Sequence, residues 1–312
     1  MKKITIVGAG RVGESTAQFI AERDMCREIA LIDINKGFAE GAALDIQEVA
    51  PIFKYDTRVY GGDDGSLMAD SELIVVTAGL PRKPGMSRED LLWANVDIID
   101  GIMDDAIKHA PESMVLFVTN PVDVVTYFAW KKSGWPRNRV FGQAGVLDSA
   151  RMAAFIAVET GCSTLDINTM VLGGHGDTMV PMDRYTNIAG IPISNFLSKE
   201  KLDEIVERTR HGGAEVLALR QNSSAFDAPA ASVAEMVDAI VNDRKRILPT
   251  VTVLENEYGH DDIAIGVPVV LGKDGVEKVI PLDMNDEETA MFNESAGIVS
   301  EQIDLLKQLK NI

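Results

Sequence analysis

The chain has 312 residues, 46% of them apolar, with 48 acidic against 30 basic side chains and a net charge of −18. That length fits two domains or one large one with a substantial core, and the composition excludes an intrinsically disordered chain. The charge argues against nucleic acid and anionic membrane as partners, and no window approaches the roughly 20 apolar residues that a membrane span needs. Two cysteines, Cys26 and Cys162, are too few for a disulfide framework and too far apart for a CxxC motif. They read as buried or inert thiols in a reducing cytosol, so a cytoplasmic setting is expected. Cleavage of an amino-terminal signal would remove the first strand and the glycines behind it, so none is expected. An anionic substrate would need a local cluster of arginines to overcome the global negative field.

In chain order, an apolar strand (Ile4 to Val7) runs into Gly8-Ala9-Gly10-Arg11-Val12-Gly13, and a helix opens at Val12. A second apolar strand ends in Asp33. Gly8 permits a tight turn, Gly10 lets backbone approach a pyrophosphate, and Gly13 lets the helix pack close on the strand. The helix start offers free N–H groups and a positive dipole to the phosphates. A glycine pattern alone is weak, but strand, helix, second strand and acid at this spacing together predict a bound dinucleotide. Asp33 suits two ribose hydroxyls and repels a 2′-phosphate, and Ile34 and Asn35 follow it, so NAD is favoured over NADP.

The first half continues to alternate. Strands are expected at 3–7, 28–32, 58–60, 73–77, 114–118 and 139–141, and helices at about 12–24, 37–48, 87–109, 121–132 and 148–160. This alternation predicts an α/β fold, a Rossmann-type doubly wound parallel sheet over residues 1–144. In such sheets ligands bind at the carboxyl ends of the strands, where Gly8, Asp33, Thr77–Gly79 and Val118–Asn120 lie. Between strand and helix, Leu80-Pro-Arg82-Lys-Pro-Gly-Met-Ser-Arg88 reads either as a surface loop with solvated charge or as a lid that carries arginines onto an anion.

From about residue 145 the pattern becomes α+β, giving a second domain over 145–312. A strand at Asn168–Leu172 precedes Gly173-Gly-His175-Gly-Asp177; helices are expected at about 198–219, 225–242 and 286–310. Val251–Glu255 reads as a strand and Val267–Val279 as a hairpin with an Asp274-Gly275 turn. Of four histidines, His109, His211 and His260 need only surface or core roles, whereas His175 sits in a glycine loop after a strand, which suits an acid/base. Asp148 and Arg151 share one helix face; they are either an intrahelical ion pair or an orienting acid for His175 beside a substrate-binding cation.

Gly8–Gly13, Val118-Thr-Asn-Pro-Val-Asp123, Leu147-Asp-Ser-Ala-Arg151 and Gly173–Asp177, in this order and spacing, resemble the lactate/malate dehydrogenase family over essentially the whole chain. The Arg82–Arg88 loop is similar to that of its lactate-dehydrogenase-like bacterial malate dehydrogenases; the lactate enzymes generally carry Gln where Arg82 stands. The resemblance implies NAD-dependent oxidation of (S)-malate to oxaloacetate, a tricarboxylic acid cycle reaction, with no metal and with a homo-oligomer, a tetramer before a dimer. It implies His175 as proton donor and acceptor with Asp148 as partner. Arg151 would bind the substrate carboxylate next to the reacting carbon, Arg88 the reacting carbonyl and Arg82 the distal carboxylate. Asn120 would touch substrate and cofactor. Gly8 to Gly13, Asp33, Asn95, Val118 and Thr119 would hold NAD. Ala225 lies where the lactate enzymes tend to have a bulkier threonine. A lactate or other 2-hydroxy-acid dehydrogenase is the near rival. A non-catalytic NAD sensor would lack His175, Asp148 or an arginine, and an NAD-dependent glycosidase would need Cys and His metal ligands.

Overall fold

The structure is a computed structural model describing residues 1–80, 88–221 and 223–310, without the side chains of Arg88 and Leu309. Its first half comprises β1 (Lys3–Val7), α1 (Arg11–Glu22), β2 (Glu28–Ile32), α2 (Lys36–Phe53), β3 (Arg58–Gly62), β4 (Leu73–Val76), α3 (Arg88–His109), β5 (Met114–Phe117), α4 (Val122–Ser133), β6 (Val140–Gln143) and α5 (Gly145–Thr160). All four residues of β4 and of β5 are buried, as parallel strands covered on both faces must be. Helix α1 turns Gly13, Thr16, Ala17, Ile20 and Ala21 inward, a spacing of three and four that forms one apolar stripe. The parallel strands run in the order β3-β2-β1-β4-β5-β6, the doubly wound order. The order reverses between β1 and β4, so a crevice opens where β1, β2 and β4 end.

The second half adds β7 (Ile167–Asn168), β8 (Val171–Leu172), β9 (Val180–Pro181), β10 (Asn187–Ile188), β11 (Ile191–Pro192), α6 (Lys199–Arg210), α7 (Gly212–Arg220), α8 (Asp227–Val241), β12 (Arg246–Glu255), β13 (Asp261–Gly272), β14 (Gly275–Val279) and α9 (Asp286–Lys310). Strands β12, β13 and β14 join the main sheet antiparallel at its β6 edge, with Thr250 opposite Gln143 and Val251 opposite Gly142. The two halves therefore share one nine-stranded sheet. A second, smaller core of Met152, Ile156, Ile167, Val171, Met179, Ile188, Ile193, Leu202, Ile205 and Val206 lies wholly in the second half. Among the described residues, no helix is long and apolar enough to cross a membrane.

Three sequence expectations need correction. The single helix at 198–219 is two, α6 and α7, broken at His211-Gly212. Gly212 packs against Arg151, whose Cδ would lie 3.2 Å from an added Cβ. The strand at 168–172 is also two. Here the chain changes sheets: β7 pairs with β10 and β8 with β9, while Thr169 Oγ1 donates to Ser149 O and Val171 N–H to Ser149 Oγ between them. Strands β12 and β13 begin earlier than expected, at Arg246 and Asp261, and β12 continues back through Pro249, which pairs with Pro268 of β13. A proline usually marks the end of a strand.

Candidate active site

The glycine loop is shaped by its own backbone. Gly8 has φ +103°, and a Cβ there would stand 2.6 Å from Ala78 N. A Cβ on Gly13 would lie 1.8 Å from Gly8 O, whereas one on Gly10 would meet nothing within 4 Å. The loop is thus closed toward the sheet and open toward the crevice. Helix α1 has no side-chain cap; its first bond runs from Glu14 N–H to Gly10 O, so the amides before Glu14 lack helical partners. Asp33 closes the other side. Its carboxylate accepts from Ala9 N–H at 2.9 Å and from Asn35 N–H at 2.8 Å, fixing the end of β2 against the loop. Open amides as donors, an unobstructed Gly10 and an acceptor carboxylate at the end of β2 are the set that a dinucleotide needs.

The ends of β4 and β5 form the next wall. Thr77 Oγ1 donates to Gly8 O at 3.0 Å and Thr119 Oγ1 to Ala78 O at 2.7 Å. Asn95, buried on α3, joins three segments: its Oδ1 accepts from Leu80 N–H at 2.7 Å and its Nδ2 donates to Asn120 O at 2.7 Å and to Leu80 O. The Asn120 side chain beyond it is exposed. Arg11 lies 5.3 Å from the Phe226 ring and Arg220 lies 4.2 Å from it, tying the glycine loop to the segment that carries Ala225.

The histidine loop is held from three sides. Gly173 and Gly266 of β13 exchange backbone hydrogen bonds at 2.9 and 3.2 Å, Gly174 N–H donates to Ser295 Oγ of α9 at 2.8 Å, and His175 N–H donates to Asp123 Oδ2 of α4 at 3.0 Å. Within this frame His175 Nδ1 lies 2.9 Å from Asp148 Oδ2, and Arg151 Nη1 lies 3.2 Å from Asp148 Oδ1. Asp148 is therefore both in contact with His175 and half of an ion pair with Arg151. A carboxylate on Nδ1 keeps the proton there in the neutral ring and leaves Nε2 as the nitrogen that exchanges protons.

Two profile matches cover nearly the whole chain: residues 2–142 match the lactate/malate dehydrogenase NAD binding domain, and residues 145–310 match the lactate/malate dehydrogenase alpha/beta C-terminal domain. The chain belongs to the lactate/malate dehydrogenase family. It is 62% identical to a malate dehydrogenase of Thioalkalivibrio sulfidiphilus over 307 residues, 98% of this chain and 100% of that one. Among solved structures it resembles the malate dehydrogenase of Salinibacter ruber, at 44% identity, a TM-score of 0.95 and 99% coverage of both chains. It also resembles the lactate dehydrogenase of Cryptosporidium parvum, at 35% identity, a TM-score of 0.94 and 98% coverage of both. The backbone is common to both activities in this family.

The electrostatics around His175 have named causes. Burial alone would lower its pKa; the charge and hydrogen bond of Asp148, joined by the charge of Asp123, outweigh burial and Arg151 and hold the imidazole above its ordinary value. Of the residues singled out from sequence, the structure brings His175, Asp148 and Arg151 into one cluster, and gathers Gly8 to Gly13, Asp33, Val118, Thr119 and Asn120 at the strand ends. Arg82 lies outside the described residues; Arg88 opens α3, and its side chain lies outside them too. His211 and His260 are exposed or half-exposed, paired with Glu207 and Asn293. Sequence reasoning missed Asp123, Gly212 and Ser295. A signal for Asp123 was present, since it is an acid inside the apolar run Val122-Asp-Val-Val125.

Proposed function

We propose that this chain is an NAD-dependent malate dehydrogenase, interconverting (S)-malate and oxaloacetate. The observation that carries the reaction class is the Asp148–His175 pair, an acid/base in the histidine loop with its orienting carboxylate on α5. The substrate rests on the 62% identity to a malate dehydrogenase along the full chain and on Arg82, where the lactate enzymes carry Gln.

Bound NAD supplies the hydride acceptor in malate oxidation and, as NADH, the hydride donor in oxaloacetate reduction. The chain's own residues do the rest. In oxidation, neutral His175 takes the hydroxyl proton at Nε2 while Asp148 stabilises the imidazolium that results. In reduction, protonated His175 returns it. Arg151 holds the carboxylate beside the reacting carbon with a planar fork, Arg88 polarises the carbonyl, and Arg82 pairs with the distal carboxylate. Asn120 touches substrate and nicotinamide. Asn95 acts by holding Leu80 against Asn120, since its amide is already engaged by their backbones. Residues 1–144 form the cofactor unit and 145–312 the substrate unit. Family membership further supports a cytoplasmic homotetramer acting in the tricarboxylic acid cycle.

Closing Arg82 over a monoacid would bury an unpaired cation, which costs several kcal/mol. The parent enzyme should therefore favour oxaloacetate over pyruvate by about a hundredfold or more in NADH oxidation. Arg82→Gln should erase most of that ratio. Equal parent rates on the two keto acids would overturn the choice of substrate.

A further inference from the structure

We propose that Asp123 is a second positioning carboxylate for the acid/base histidine, pinning its main chain and placing a buried negative charge beside the imidazole that Asp148 already orients. This rests on His175 being the acid/base of the proposed reaction. Asp123 stands on α4 between Val122 and Val124, both fully buried, and is itself 5% exposed. One oxygen, Oδ2, accepts His175 N–H at 3.0 Å. The other, Oδ1, is buried with no hydrogen-bond partner among the described residues. An amide would accept the same backbone N–H, so anchoring the loop does not by itself require a charge.

The charge has a use only in relation to what surrounds it. From α5, Asp148 and Arg151 face His175 with opposite signs; from α4, Asp123 adds a second negative charge. On its own loop Asp177 is exposed, lining a small cavity with Arg210 of α6 and Glu294 of α9. Burial pushes the Asp123 carboxyl up to about 6, opposed by the His175 N–H and the His175 charge. The His175 pKa is held above its ordinary value, with the charge of Asp123 among the causes after that of Asp148. Asp123 thus favours the imidazolium over the pH range in which the ring must both donate and accept.

The test is a proton NMR titration of the full chain, whose four histidines leave His175 assignable by its loss in His175→Asn. Asp123→Asn keeps the acceptor and removes the charge. The His175 midpoint should fall, by on the order of one pH unit. The high-pH limb of kcat/KM for oxaloacetate at saturating NADH should move down with it. Asp123→Ser should shift the midpoint the same way if the asparagine variant fails to fold. In the parent, the Asp123 carboxyl carbon should titrate near 6 and show a second inflection at the His175 midpoint. An unmoved midpoint in a folded variant, or a single ordinary carboxylate transition in the parent, would overturn the proposal. A parent that is inactive on oxaloacetate, yet shows these coupled titrations, would instead sink the assigned reaction and leave the pair standing.

Discussion

At the scale of single residues, the site is built from contacts that leave little room for substitution. Gly13 is the sharpest case: a methyl group there would sit 1.8 Å from Gly8 O, a backbone atom held in turn by the turn at Gly8 and by Thr77. Gly13→Ala should therefore strain the loop by about 1–3 kcal/mol, the usual cost of overpacking. That should lower the melting temperature and weaken NADH binding roughly tenfold. Calorimetry and fluorescence titration would check it, and unchanged NADH affinity would contradict the packing argument. Residues whose chemistry depends on their immediate neighbours were legible in sequence. Gly8, Gly13 and Asp33 announce a turn, a close packing and a strand-end acid, and His175 is marked by the glycines around it. Asp123 carried a signal, an acid inside an apolar run, but not its partner, which lies 52 residues away and is brought to it only by the fold.

At the scale of elements, the parallel strands were legible because they are continuous apolar runs, and α1 because its buried residues fall on one stripe. The expected boundaries failed where tertiary partners override local pattern: at Gly212 against Arg151, at the change of sheets between β7 and β8, and at the facing prolines of β12 and β13. Helix α9 shows a local device that the sequence carries openly. Asn285 Oδ1 accepts Glu288 N–H and Glu288 Oε2 accepts Asn285 N–H, both at 2.8 Å, a reciprocal cap. Arg184 also grips Glu288 through Nε and Nη2. Chiefly through that Arg184 bond, the Glu288 carboxyl is held below the usual range. A depressed carboxyl contributes stability above the unfolded value, near 4.3, and loses it as pH falls through the folded one. Glu288→Gln should thus lower the melting temperature by about 2–4 °C at pH 7. The gap to the parent should close below pH of about 4; a gap independent of pH would show that the charge contributes nothing.

For the whole molecule, the net charge of −18 must be offset locally for a dicarboxylate to bind, and Arg151, 3.2 Å from Asp148, is the cation that the described residues place beside His175. The change of pattern near residue 145 was visible in the sequence, but the continuity of the sheet across it was not. The β6–β12 pairing of Thr250 with Gln143 and Val251 with Gly142 joins segments more than a hundred residues apart, and no local signal specifies that. This join carries function, because β13 on the added side exchanges backbone hydrogen bonds with Gly173 and so seats the histidine loop. The same frame puts His175 beside Asp148, and the proposed chemistry depends on that oriented acid/base. The direct test is His175→Asn, read by NADH oxidation with saturating oxaloacetate and by NADH binding in the same preparation. Binding should be kept while turnover falls by about 10²-fold or more. Undiminished turnover would remove His175 from the reaction.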